Sequence, residues 1–163
     1  DDLFSMKKVL FIASTGGHLS ELLQLKPIFS HYDYHIVTEK TKSNLGLKDK
    51  YKHVYYLIAG TYTTPLAKLV YPFKLGLNTL RSFFIFLKVR PDVVVTTGTH
   101  TAVPMCYVAH YFKKKVIFIE TFANRTTPTK SGRMVYPIAD KFIIQWEELK
   151  QFYPDAIYLG WIY

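Results

Sequence analysis

Short apolar runs alternate with longer stretches of mixed character along most of this chain, and the alternation predicts its fold. Residues 7–14 (KKVLFIAS) are nearly continuous in apolar and β-branched positions and end at Thr15-Gly16-Gly17. A parallel strand covered on both faces has this pattern. From His18 to Phe29 the leucines at 19, 22, 23 and 25 fall at mostly helical spacing, and the pattern stops near Pro27. A helix is therefore predicted after the glycine turn. Strand-like runs recur at 34–38, 53–58, 92–96, 115–120, 141–145 and, more weakly, 156–159, with helical patterns between most of them. Strand alternating with helix predicts an α/β fold with a doubly wound parallel sheet. The polar, lysine-rich residues 40–52 read as a surface loop or short helix.

Composition narrows the picture. With 163 residues, 49% of them apolar and no repeat or low-complexity linker, one domain spanning 6–163 is expected. Residues 1–5, ahead of Met6, read as a vector-derived remnant. A single cysteine, Cys106, excludes an intrachain disulfide and a cysteine-rich zinc site. No signal-peptide pattern follows Met6, so the cytoplasm is the expected compartment. The net charge of +9 favours an anionic partner. Its distribution says more, because residues 50–91 contain no acid at all but carry Lys50, Lys52, Lys68, Lys74, Arg81, Lys88 and Arg90.

In an open sheet of this Rossmann-like kind, ligands sit beyond the carboxyl ends of the strands, and three loops there carry candidate chemistry. Ser14-Thr15-Gly16-Gly17-His18 lets the backbone approach a phosphate or diphosphate, or simply packs helix on strand, while His18 can donate to a phosphate or act as a base. Thr97-Gly98-Thr99-His100-Thr101 groups hydroxyl and imidazole side chains suited to a sugar or phosphate, although Thr99 or Thr101 can equally cap the next helix. The third loop opens at Glu120, an acid ending an apolar strand that is a candidate base, and continues through Asn124 and Arg125 to Lys130 and Arg133, whose cations would face a diphosphate. Glu39 falls where a dinucleotide-binding fold places its ribose-binding acid, but the glycine loop lacks the spaced glycines that such a cofactor needs. No cofactor and no metal is expected.

Two further segments read as surfaces. On a helix, Lys74, Asn78, Arg81 and Lys88 form one polar stripe, and the other face carries residues such as Leu80, Phe83 and Phe84. Flanked by Tyr62, Tyr71 and Phe73, residues 62–89 are expected to lie on an anionic membrane surface, the alternative being a crossover helix with a solvated basic stripe. The chain ends in Trp161-Ile162-Tyr163, either a last strand, a patch awaiting another chain, or both.

Four motifs in order carry a resemblance: 13–21 (ASTGGHLSE), 95–104 (VTTGTHTAVP), 117–123 (IFIETFA), and 144–148 (IQWEE) with the GWIY end. Through them, over residues 6–163, the chain resembles capsule and exopolysaccharide proteins of the PssD type. It is also similar to the acceptor-binding membrane subunit of the bipartite eukaryotic N-acetylglucosaminyltransferase and to the N-terminal half of MurG. The resemblance implies one acceptor-side half of a split, inverting GT-B glycosyltransferase, with a partner chain supplying the UDP-sugar site. It implies an undecaprenyl-diphosphate-linked acceptor, a role in capsular polysaccharide synthesis at the cytoplasmic face of a bacterial membrane, and catalytic roles for His18 and Glu120. Nucleic acid is not among the expected partners. A non-catalytic recruiter of a catalytic chain and a self-contained nucleotide-binding enzyme are the alternatives.

Overall fold

The computed structural model describes residues 6–60 and 64–163; the readings placed on residues 1–5 and on Tyr62 lie outside the described residues. The elements follow the order β1 (Lys8–Ala13), α1 (Gly17–Leu23), α2 (Lys26–Phe29), β2 (Asp33–Lys40), α3 (Leu47–Lys50), β3 (Val54–Ile58), α4 (Pro65–Val89), β4 (Val93–Gly98), α5 (Val103–Tyr111), β5 (Lys115–Ile119), α6 (Lys130–Val135), β6 (Lys141–Ile144) and β7 (Ile157–Tyr158). Seven parallel strands form one sheet in the order β3-β2-β1-β4-β5-β6-β7. The order reverses between β1 and β4, which is where such a sheet opens a crevice.

The apolar runs form the strands because both faces of the sheet are covered. Leu10, Ile12, Val94, Val116 and Phe118 point to one core, packed under α4, α5 and α6, while Val9, Phe11, Ile36 and Ile119 point to another, under α1 and α2. Alternate residues of one strand thus enter opposite cores, as the two-residue period requires.

The helix expected over 18–29 is two helices. Pro27 lacks an N–H, which costs nothing in a first turn, and the chain ends α1 and restarts with Pro27 in the first turn of α2. The 40–52 segment holds a 3₁₀ turn at Lys42–Asn44 and the short α3.

Helix α4 departs most from expectation. Thr64 caps it by accepting from the Ala67 amide, Pro65 starts it, and Arg90 in the left-handed region ends it ahead of Pro91. The polar stripe read from the sequence does not face solvent as a unit. Asn78 is only 4% exposed, its side chain accepts from the Ile58 amide and donates to the Ile58 carbonyl, both at 2.8 Å, and Lys74 reaches the Ala59 carbonyl at 3.5 Å. The inward face is Asn78, Ser82, Phe86 and Val89. The outward face is apolar, with Leu66 71%, Phe73 73% and Phe84 59% exposed, and Arg81 and Lys88 are exposed beside it. No helix among the described residues is long and apolar enough to cross a membrane.

Candidate active site

The crevice between β1 and β4 brings the first two loops together. Gly16 adopts φ 81°, and a Cβ added to Gly16 or Gly17 would meet nothing within 4 Å, so the turn is open to a ligand. Behind it, His18 Nδ1 lies 2.9 Å from the Thr97 carbonyl and the Thr97 hydroxyl donates to the His18 carbonyl at 2.6 Å. A carbonyl only accepts, so Nδ1 carries the proton and Nε2 keeps its lone pair. Gly98, at φ 96°, holds a backbone conformation that strains any other residue, and a Cβ there would be crowded, 3.3 Å from Ser131 Oγ and 3.4 Å from His18 Nδ1. His18, Gly98 and Ser131 therefore meet at one point.

Ser131 also lines a groove of about 880 Å³ between α4, α5 and α6. Its walls are Tyr71, Leu75, Val103, Pro104, Tyr107 and Met134, and its polar groups come from Lys68, Thr79, Thr99, His100, Lys130 and Ser131. Burial pushes the His100 imidazole below its ordinary pKa, opposed by the charge of Glu39. Such a cavity fits a molecule with a long apolar part and a small anionic part.

Ser14, Thr97 and Thr101, read as ligand or capping hydroxyls, turn inward instead. All three are buried. Thr101 donates to Glu39 Oε1 at 2.5 Å, Ser14 Oγ is 2.7 Å from Thr101 Oγ1, and the Thr99 amide donates to Ser14 Oγ at 3.1 Å. Neither Thr99 nor Thr101 caps α5, whose N-cap is Ala102. Thr15, half-buried, receives a hydrogen bond from Asn44 Nδ2 at 3.1 Å.

Glu120 is not poised as a base. It is 1% exposed, and its carboxylate accepts from the amides of Thr121 and Thr129, from the Thr129 hydroxyl and from Tyr153 OH at 3.0 Å. Burial and this carboxylate push the Tyr153 phenol well above its ordinary pKa. A Cβ on Gly132 would collide with Glu120 Oε2, Tyr153 and Thr129, so α6 is packed onto the carboxylate. Glu120 fastens the third loop to the core, because an acid in this apolar setting is tolerable only when its oxygens are satisfied.

The third loop's other candidates also lie elsewhere. Asn124 donates to the Thr127 carbonyl within its own loop. Arg125 pairs with Glu148 at 2.9 Å and stacks 5.0 Å over Trp146. Arg133 lies over Phe152. Of these cations only Lys130 lines the groove, joined by Lys68, which the acid-free stretch had flagged by charge alone.

The chain end forms a separate platform. Phe122, Trp146 and Trp161 meet with ring centroids 4.9 to 5.5 Å apart, and Ile162 is tied by its amide to Gln145 Oε1 at 2.8 Å. Trp161 is 62% exposed. Tyr163 folds inward, and burial with Glu21 beside it raises its phenol pKa. The last strand, β7, pairs with β6 and ends at Tyr158, so residues 161–163 lie beyond the sheet, where Trp161 stands exposed.

No metal was expected, yet Asp33, His35 and His53 place ligand atoms within 4.8 Å of one another. The two rings stack at 4.4 Å with planes 14° apart, so their in-plane lone pairs run side by side and do not converge on one ion. The cluster lies at the start of β2 and just before β3, at the end of the sheet opposite the glycine loops. Cys106 is fully buried, with its thiol pushed up to about 12, and offers no nucleophile.

A seven-stranded parallel sheet with helices on both faces and glycine loops at its switch point defines a Rossmann-like fold. Solved structures share the fold: MurG from Acinetobacter baumannii superposes with a TM-score of 0.69 at 20% identity over 87% of this chain, and UDP-N-acetylglucosamine 2-epimerase from Rickettsia bellii with 0.72 at 16% over 96%. This chain spans 42% and 45% of those two chains. Over residues 9–162 it matches the family described as "Oligosaccharide biosynthesis protein Alg14 like", and it belongs to that family. The mouse "UDP-N-acetylglucosamine transferase subunit ALG14" is 27% identical over 94% of this chain and 82% of its own length.

Proposed function

We propose that this chain is the acceptor-binding, membrane-associating subunit of a two-chain inverting glycosyltransferase. The observation that carries the reading is the groove, apolar along its walls, with Lys68, His100 and Lys130 among its polar groups, and meeting His18 across Gly98. A lipid-linked diphosphate sugar has the complementary shape, with its chain along the walls and its diphosphate among the cations. The exposed apolar face of α4, flanked by Arg81 and Lys88, fits an anionic bilayer from which such a lipid enters. The finer assignment is to capsular polysaccharide synthesis on undecaprenyl diphosphate at the cytoplasmic face of a bacterial membrane, and it rests on the motif resemblance.

The UDP-sugar comes on the partner chain, docked at the Trp161 platform. His18 Nε2, the ring nitrogen not engaged by the Thr97 carbonyl, takes the proton of the attacking acceptor hydroxyl. That oxygen bonds to the sugar's anomeric carbon from the face opposite UDP, and the carbon–oxygen bond to UDP breaks with its electron pair leaving on the diphosphate. Inversion follows from the single displacement.

The test is His18→Ala in the assembled pair. Loss of a positioned general base predicts a fall in kcat of about 10²- to 10⁴-fold with pairing intact. Near-normal turnover would make the chain a recruiter of its catalytic partner.

A further inference from the structure

Glu39 is a second buried strand-end acid, 4% exposed, and the displacement at His18 makes no use of it. It lies at the carboxyl end of β2 and touches the ligand loops through a chain of single hydrogen bonds. We propose that Glu39 is a positioning residue whose carboxylate orients the hydroxyl protons of Thr101 and Ser14, so that Ser14 meets the Thr99 amide with lone pairs alone and the two loops are locked into the shape that receives a phosphate. The inference rests on the reading of the groove as a diphosphate site.

The direction follows from chemistry. A carboxylate only accepts, so the Thr101 hydroxyl must donate to Glu39 Oε1, at 2.5 Å. Thr101 then has only lone pairs to offer Ser14, 2.7 Å away, and Ser14 gives its proton to Thr101. Ser14 in turn is left as the acceptor for the Thr99 amide at 3.1 Å. Ser14 and Thr101 are 4% and 3% exposed, so water has little access to replace a broken link. A branch runs from the same strand end: Asn44 donates both to the Glu39 carbonyl at 3.0 Å and to Thr15 Oγ1 at 3.1 Å.

The consequence is specific to the charge. Ser14 and the Thr99 amide have no proton left for a ligand, so phosphate contacts fall to the remaining loop groups, held at fixed positions. Glutamine at 39 has nearly the same shape but presents either an acceptor or a donor to Thr101. With the donor facing Thr101, the chain reverses and Ser14 keeps its proton, giving two loop arrangements where the acid permits one.

The experiment uses the full chain carrying Glu39→Gln, Thr101→Val, both together, or Thr101→Ser, which keeps the hydroxyl. Thr99 amide hydrogen exchange and the affinity for inorganic pyrophosphate are followed by NMR. The expected result is faster Thr99 exchange and ~10-fold weaker pyrophosphate binding in each of the first two, the size of one net hydrogen bond. The double variant should be no worse than Thr101→Val alone, because the links act in series, and Thr101→Ser should restore both readouts. Unchanged Thr99 exchange in Glu39→Gln, or losses that add in the double variant, would overturn the proposal. If the wild-type chain binds no pyrophosphate, the diphosphate reading of the groove fails, while the exchange data still decide whether Glu39 orders the loops.

Discussion

Helix α4 and the Trp161 platform both leave large apolar side chains in water, but they are built to different tolerances. On α4 the exposed residues are leucines and phenylalanines spread along 25 residues, with Arg81 and Lys88 beside them. Around Trp161 the rings interlock, the Trp146 indole donates to the Phe122 carbonyl at 2.8 Å, and Arg125 is paired with Glu148. A bilayer is fluid and rewards apolar area plus positive charge without fixed geometry. A protein partner rewards a rigid, partly desolvated aromatic anchor. The two surfaces therefore point to two kinds of partner.

Separating the surfaces by mutation is the way to break that comparison. The largest effect is expected from Phe73→Glu with Phe84→Glu: flotation with anionic vesicles should weaken at least ~100-fold, since two burials of roughly 1.5–3 kcal/mol are lost and charge is added, while pairing with the partner chain is unchanged. Trp161→Ala should do the converse, weakening pairing by calorimetry ~10- to 30-fold with vesicle binding intact. Asn78→Ala removes both hydrogen bonds that hold α4 against Ile58, and denaturant unfolding should show a loss of about 1–3 kcal/mol. The smallest effect concerns neither surface. Burial lowers the His35 pKa, with Asp33 opposing and His53 reinforcing. The unfolded chain then binds the proton more readily, so stability is full above pH about 6.5 and declines as pH falls toward the folded value. His35→Gln should flatten that decline in a thermal melt, and vesicle and partner binding should not follow it.

The inner strands were the most legible because burial on both faces makes them nearly continuous in apolar residues, as in residues 8–13 and 115–119, whereas the half-buried β7 gave only a weak pattern. The Gly16 and Gly98 turns were legible as ligand-loop candidates because each follows a strand-like run, and the strand order, which sets β1 beside β4, brings them together. Side-chain roles were less so. Lys74 and Asn78 fall in register with Arg81 and Lys88, but the helical period does not say which residues answer the unpaired backbone at the end of β3, and Asn78 does. Glu39 and Glu120 look alike in sequence, each closing an apolar run. Only the fold reveals that one is bonded to Tyr153 and Thr129 while the other accepts from Thr101 beside the crevice. Reading both by the same strand-end argument would have put Glu39 beside the ligand loops.

The proposed function makes this crevice one wall of an active site whose other wall is a second polypeptide. Its most direct test is sugar transfer from a radiolabelled UDP-sugar to a polyprenyl-diphosphate-linked acceptor in anionic vesicles, measured with this chain alone, the partner alone, and both. Product is expected only when both are present, with His18→Ala abolishing most of it. Efficient turnover by this chain in the absence of any partner would contradict the proposed function.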